Sequence, residues 1–185
     1  MIGTGYVGLV SGTCFADIGN EVICVDVDNK KINNLNSGII PIYEPGLEEM
    51  VKRNLKQGRL KFSNNVSNAI RKSNLIFICV GTPTIKKTNA ANLKYVFQVA
   101  KKIKSNLNNY KIIVTKSTVP VTTGDKIENI LKKNKFKSKF DVVSNPEFLR
   151  EGEAIRDFVV PDRVIVGTTS KKSIKIMRSL YLPII

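Results

Sequence analysis

A chain of 185 residues with 42% apolar content is long enough to bury one substantial core. Its longest apolar run, Leu75-Ile76-Phe77-Ile78-Cys79-Val80, falls well short of the ~18 residues of a membrane span, and no charged region precedes an apolar one at the start; neither a membrane helix nor a signal peptide is expected, and the expected compartment is the cytoplasm. The net charge of +15 raises a nucleic-acid partner, but 23 of the 30 basic residues are lysines scattered through most predicted elements, and the one dense run (Lys132, Lys133, Lys135, Lys137, Lys139) reads as a solvated loop, so no nucleic-acid partner is expected.

In chain order, the first motif is Ile2-Gly3-Thr4-Gly5-Tyr6-Val7-Gly8. Glycines in the order G-x-G-x-x-G permit a tight turn, close approach of backbone to a pyrophosphate, and close packing of a helix on a strand. A helix beginning there points its free N–H groups and positive dipole end at phosphates. Only Met1 and Ile2 precede the first glycine, whereas a central parallel strand has about five residues; the first strand is expected to be cut short, as in a fragment. Small and apolar residues predict a helix over 9–18, ended by Gly19-Asn20. Val22-Ile23-Cys24-Val25-Asp26 predicts the next strand. Asp26 lies 18 residues beyond Gly8, near the ~20 expected of a carboxylate that binds a ribose. The competing reading of both features is a plain turn and an unrelated solvent-facing Asp.

Asp28 or Asn29 can cap the following helix, with Ile32 and Leu35 inward. The loop Tyr43-Glu44-Pro45-Gly46 leads into a helix with Leu47, Met50, Val51 and Leu55 on one stripe. Leu60-Lys61-Phe62 predicts a short strand, and Val66 and Ile70 mark a brief helix. The run over 75–80 lacks polar alternation, as a parallel strand covered on both faces does, and leads into Gly81-Thr82-Pro83-Thr84. Leu93, Val96, Phe97, Ala100 and Ile103 recur at helical spacing. A strand over 111–116 ends in Ser117-Thr118-Val119-Pro120, a helix follows over 123–133, and a strand over 140–143 opens onto the segment 144–152. A last strand over 163–166 and a final helix over 174–181 complete the reading.

Strands alternating with helices predict an α/β fold, a doubly wound and mostly parallel sheet of the Rossmann type, in one domain over 1–185. Ligands of such sheets bind beyond the carboxyl ends of the strands. The glycine turn, Asp26, Gly81 to Thr84, Ser117-Thr118 and the segment 145–151 all fall at those ends, so one crevice can collect them. Cys14, Cys24 and Cys79 fit neither a disulfide framework nor a zinc site and read as buried small hydrophobes. With no His in the chain, no metal site is expected, and a carboxylate is the natural candidate to activate water.

The glycine turn with its following Leu-Val-Ser-Gly-Thr-Cys-Phe-Ala-Asp, Pro-Ile-Tyr-Glu-Pro-Gly-Leu at 41–47, Val-Gly-Thr-Pro at 80–83, Lys-Ser-Thr-Val-Pro at 116–120, Asn-Pro-Glu-Phe-Leu-Arg-Glu-Gly at 145–152 and Pro-Asp-Arg-Val at 161–164 together resemble the N-terminal part of UDP-glucose 6-dehydrogenases, in the UDP-glucose/GDP-mannose dehydrogenase family. That family oxidises the sugar C6 alcohol to a carboxylate with two NAD⁺ in succession, holding the intermediate on a cysteine thiolate. The resemblance implies NAD as cofactor, UDP-glucose as substrate and homo-oligomeric full-length members. It further implies that Gly3, Thr4, Gly5, Tyr6, Val7 and Gly8 hold the pyrophosphate and Asp26 a ribose. Lys31 would stand beside the adenosine ribose, unless it is only an exposed helix lysine. Val80, Gly81, Thr82, Pro83, Thr84 and Ser117 would line the cofactor path, Thr118 would position a water, and Glu147 would act as general acid and base. Phe148, Leu149, Arg150 and Glu151 would border the substrate, with Glu151 also on the nicotinamide side.

The family's catalytic Cys, and the Lys and Asp that work with it, belong to a central helix and second domain that this sequence does not contain, so the chain by itself is expected to be inactive. Two local departures stand out: Thr122 where the family usually has Gly, and Lys86-Lys87-Thr88-Asn89 in place of a Gly/Asp-rich loop. The alternatives are a dehydrogenase of GDP-mannose or UDP-N-acetylmannosamine, or a non-catalytic NAD-binding fragment.

Overall fold

The computed structural model describes residues 1–133 and 139–185, which leaves Lys135 and Lys137 of the lysine run outside the described residues. Strand β1 (Val22–Val25) pairs in parallel with β2 (Leu60–Ser63), β3 (Leu75–Ile78) with β4 (Lys111–Thr115), and β4 with β5 (Phe140–Ser144). Ile2 joins the two halves through parallel bridges to Val25 and Ile78. Its N–H donates to the Phe77 carbonyl and its carbonyl accepts from Cys79 N–H, both at 2.8 Å. The spatial order is therefore β2-β1-Ile2-β3-β4-β5, and the first strand is reduced to this one bridging residue. A cleft of about 890 Å³ opens beside Met1 at the amino ends of β1, β2 and β3.

Side chains alternate across the sheet, and this sorts the core into two layers. Cys24, Phe77, Cys79, Ile112 and Val114 pack with α1 (Tyr6–Asp17), α2 (Asn29–Asn36), α3 (Leu47–Lys56), α7 (Ala154–Val159) and α8 (Lys171–Tyr181). Ile2, Val25, Ile76, Ile78 and Ile113 pack with α4 (Val66–Lys72), α5 (Lys94–Asn106) and α6 (Thr123–Leu131) on the other face. Helices on both faces of a parallel sheet are the doubly wound architecture expected from the alternation. Helix α1 is buried without interruption from Gly8 to Ala16 because the sheet covers one side while α3 and α7 cover the other. Phe15 anchors that layer, edge-on to Phe158 with ring centroids 4.9 Å apart. Asp28 caps α2 by accepting from Lys31 N–H at 3.0 Å. Lys111, fully buried, donates to the Ser73 and Arg71 carbonyls at 2.7 and 3.3 Å, satisfying groups at the end of α4 that no helical partner reaches.

The predicted strand over 163–166 does not form. The backbone pairs with the sheet one residue later, at Gly167, through an antiparallel bridge to Ser144, and the Ile165 carbonyl is taken instead by the Asn145 side-chain amide at 2.8 Å. The preceding Pro161 supplies no N–H for a ladder. Helix α7, which the apolar pattern did not reveal, fills the space between 152 and that segment. No helix among the described residues is long and apolar enough to cross a membrane.

Both departures at 86–89 and 122 fall on left-handed backbone. Asn89 has φ 54° and Thr122 φ 72°. Asn tolerates that region, whereas a β-branched residue there is strained. Thr122 makes no side-chain cap bond to α6, so Thr122→Gly relieves strain without losing a cap. After the entropic cost of Gly in the unfolded chain, the expected gain is about 0.5–1 kcal/mol, or a rise in Tm of roughly 1–4 °C, measurable by thermal denaturation. An unchanged or lower Tm would show that the loop is relaxed as it stands.

Candidate functional site

The chain runs outward from Ile2 to β1 and β2, then crosses to β3, β4 and β5, so the strand order reverses at Ile2. This is the switch point at which doubly wound sheets open a crevice, and the glycine turn sits on it. The three glycines have different work there. Gly3, at φ 102°, lies so close to β3 that a Cβ would stand 2.7 Å from the Cys79 carbonyl oxygen. A Cβ on Gly8 would stand 2.0 Å from the Gly3 carbonyl oxygen, whereas one on Gly5 would meet nothing among the described residues within 4 Å. Gly3 and Gly8 thus close the turn on itself. Gly5, just before α1, leaves open space where the first N–H groups of that helix have no intrahelical acceptor.

Asp26 follows the carboxyl end of β1 beside this turn. Its Oδ2 accepts from Thr4 N–H at 3.0 Å and Thr4 Oγ1 at 2.7 Å and lies 3.4 Å from Lys31 Nζ; among the described residues its Oδ1 accepts only from Asp28 N–H, at 3.2 Å. Partial burial works to raise its pKa, but the Thr4 bonds, the Asp28 N–H and the Lys31 ammonium outweigh it, and Asp26 stays below the usual carboxylate range. With one donor on Oδ1, the carboxylate keeps acceptor capacity for a ribose hydroxyl. A cleft of about 920 Å³ opens at this point, bordered by Gly3, Gly5, Asp26, Lys31, Val80 and Gly81. Asn64, Val66 and Tyr95, which carried no signal as site residues, border its far side.

The other expected cofactor residues do not line this space. Thr4 is buried beneath Asp26. Ser117 Oγ donates to the Val80 carbonyl at 2.7 Å, and Thr82 Oγ1 donates to the Thr118 carbonyl at 2.9 Å, so the ends of β3 and β4 are stapled together. Thr84 pairs with Ala91, and the Pro83 carbonyl accepts from Asn92 N–H, which turns that stretch into a hairpin. Val7 lies half-buried in α1.

Beyond β5 a second cavity, of about 790 Å³, is bordered by Glu147, Phe148, Leu149 and Arg150 with Arg163 opposite. Glu147 Oε2 accepts from Leu149 N–H at 2.7 Å. The Arg150 guanidinium is held by Asp157 at 2.6 Å, and Glu151 is exposed and borders neither space. The floor of this cavity is a group that the motifs did not flag as chemistry. Lys116, 4% exposed, has Asn145 Oδ1 and Tyr181 OH at 3.5 and 3.4 Å, and Tyr181 OH donates to Asn145 Oδ1 at 2.6 Å. Burial depresses the Lys116 pKa.

Glu44, 7% exposed, was also missed as a site residue. Its Oε2 accepts from Tyr6 OH and from Gly152 N–H at 2.9 Å, and its Oε1 accepts from Ile155 N–H at 3.2 Å. A Glu immediately before Pro-Gly is a legible signal only in retrospect, since its partners lie 38 to 111 residues away. The three cysteines are free and buried, and burial pushes their thiols up to about 12 for Cys14 and Cys79 and about 11 for Cys24. Among the described residues, no group of three or more Cys, Asp or Glu side chains could hold a metal ion.

The chain is similar to known proteins over nearly its whole length. The chain is 54% identical over 184 residues to the UDP-glucose 6-dehydrogenase TuaD of Bacillus subtilis, covering 99% of this chain and 40% of that protein. It is 48% identical to the UDP-glucose 6-dehydrogenase of Rhizobium meliloti, covering all of this chain and 43% of the relative. The chain thus spans about two-fifths of the length of the curated relatives it matches. Among solved structures, a UDP-glucose dehydrogenase from Pyrobaculum islandicum superposes with a TM-score of 0.95 at 36% identity, over 100% of this chain and 43% of that one. A ternary complex of GDP-mannose dehydrogenase from Pseudomonas aeruginosa gives 0.92 at 34%, over 98% and 43%. Residues 1–185 match the family described as UDP-glucose/GDP-mannose dehydrogenase, NAD binding domain, and the chain belongs to that family.

Proposed function

We propose that this chain is the NAD-binding part of a cytoplasmic UDP-glucose 6-dehydrogenase. The observation that carries the reading is the opening of two spaces at the carboxyl edge of one sheet, the Gly5–Asp26 cleft and the Glu147 cavity, in a chain whose relatives at 48–54% identity are UDP-glucose 6-dehydrogenases. The residues present fit NAD: Gly5 leaves room for the pyrophosphate at the start of α1, and Asp26 Oδ1 can accept from a ribose hydroxyl. When bound, NAD⁺ supplies the acceptor for hydride from the sugar carbon. Thr118, exposed after β4, and Glu147, after β5, are the residues to which we assign water positioning and proton transfer. Phe148, Leu149 and Arg150 border the space assigned to the sugar nucleotide. Three free, buried cysteines suit a reducing compartment, and none offers an accessible thiolate.

Two measurements of NADH formation test the proposal. The purified 185-residue chain with NAD⁺ and UDP-glucose should produce no NADH above a no-enzyme control. The same chain joined to the remaining part of the Bacillus subtilis relative should oxidise UDP-glucose in preference to GDP-mannose. Turnover by the chain alone, or a preference for GDP-mannose in the joined protein, would overturn it.

A further inference from the structure

The segment that carries Glu147 hangs between two anchors. At its start, Asn145 N–H donates to the Thr115 carbonyl at 2.9 Å, and its side chain is gripped by Tyr181. At its end, Gly152 N–H is shared between Tyr6 OH at 2.8 Å and Glu44 Oε2 at 2.9 Å, while Ile155 N–H reaches Glu44 Oε1. Between the anchors Phe148 and Arg150 face outward. Helix α7 has no side-chain cap of its own from Glu153, so the Glu44 carboxylate supplies the acceptor that its first turn lacks.

The second anchor also touches the glycine turn. Tyr6 is the first residue of α1 and follows Gly5 directly, and its hydroxyl donates to Glu44. Desolvation by burial and the bond to Glu44 push the Tyr6 phenol up to about 12, so it stays protonated and donating at neutral pH. Glu44 is itself fixed, with its carbonyl accepting from Leu47 N–H at 3.1 Å and Pro45 restricting the chain after it. One buried carboxylate therefore binds three parts of the chain at once: the start of α1, the end of the Glu147 segment, and the start of α7.

We propose that Glu44 is a positioning residue that couples occupancy of the dinucleotide cleft to the placement of the Glu147 segment. This rests on the reading of the glycine turn as the dinucleotide site. A ligand that immobilises Gly5 and the first turn of α1 also immobilises Tyr6, so the Tyr6–Glu44–Gly152 bonds close at a smaller entropic cost. By reciprocity, a segment ordered over the substrate favours retention of the dinucleotide.

Amide hydrogen exchange by NMR on the 185-residue chain, with and without saturating NAD⁺, tests the coupling. Shifts of the Thr4 and Gly5 amides report binding; exchange at Gly152 and Ile155 reports the anchor. In the native chain NAD⁺ should slow exchange at Gly152 and Ile155 by about five-fold or more. Tyr6→Phe keeps both Glu44 bonds to the segment but severs the link to α1. Its Ile155 amide should keep native protection without ligand and respond less than about two-fold to NAD⁺. Glu44→Gln should lower protection at Ile155 in both conditions and also lose the response. A purely structural Glu44 would leave the Tyr6→Phe chain responding as the native chain does, and that result would overturn the proposal. So would native Thr4 and Gly5 amides that shift while Gly152 and Ile155 are unchanged, an outcome that leaves the dinucleotide reading standing. If Thr4 and Gly5 do not shift, the dinucleotide reading itself fails and takes the coupling with it.

Discussion

The Gly8→Ala chain is expected to melt roughly 4–8 °C below the native chain, while the Gly5→Ala chain melts within a few degrees of it and loses NAD. At Gly8 an added methyl lands 2.0 Å from a backbone oxygen, that of Gly3, which cannot swing aside as a side chain would. Overpacking of this kind costs about 3 kcal/mol, against which alanine returns about 1 kcal/mol of helix propensity. The net loss of about 2 kcal/mol sets the expected shift in Tm for a chain of this length. At Gly5 the backbone sits at φ −68°, which alanine adopts freely, and the methyl meets no atom of the described residues within 4 Å. Stability should change by no more than about 1 kcal/mol, the scale of an N-cap substitution. The same methyl stands where the pyrophosphate is assigned, so the Kd for NAD⁺ should rise by about ten-fold or more, roughly 1.4 kcal/mol. Calorimetric melting and titration of both variants separate the two effects. Equal loss of stability in both, or native affinity in Gly5→Ala, would contradict the division of labour.

That contrast marks how far the sequence could be read. The spacing of Gly3, Gly5 and Gly8 announced the turn, because local backbone sterics are written locally. The doubly wound sheet was legible for the same reason: runs such as 75–80 must be covered on both faces, and helices alternate with them. The strand over 163–166 was not, because its outcome depends on Asn145 capturing the Ile165 carbonyl rather than on any periodicity. Glu44 and Lys116 were quoted inside motifs without a role, since what gives each its meaning is a partner far along the chain: Gly152 for one and Tyr181 for the other. Thr122 ran the other way. A departure visible in the sequence fell on a left-handed backbone position, where its physical cost could be named.

Glu147→Gln, in the chain joined to the rest of its Bacillus subtilis relative, is expected to fold, bind NAD and stall. The Glu147 carboxylate accepts from Leu149 N–H at 2.7 Å, a bond that the glutamine carbonyl oxygen can still accept, so the turn after Pro146 should persist. What glutamine cannot do is take a proton from water. Loss of one general acid and base lowers the rate by roughly 10²–10⁴. If Glu147 serves the hydrolytic step, a covalent sugar–enzyme adduct should accumulate and register by intact-protein mass spectrometry. Turnover near the native rate with no adduct would remove Glu147 from the mechanism and leave its bond to Leu149 as its whole role.

A fluorescence titration of the 185-residue chain with NADH and NADPH tests the assignment of the Gly5–Asp26 cleft to NAD. Asp26 is held ionised by Thr4, Asp28 N–H and Lys31, and the residues after it, Val27-Asp28-Asn29, include no arginine to receive a 2′-phosphate. Lys31 already faces Asp26. A phosphate placed beside that carboxylate would meet like charge at close range, worth up to about 4 kcal/mol per unit pair near a protein surface. NADH should therefore bind at least about ten-fold more tightly than NADPH, and Asp26→Asn should narrow the gap. NADPH binding as tight as NADH, or tighter, would contradict the assignment.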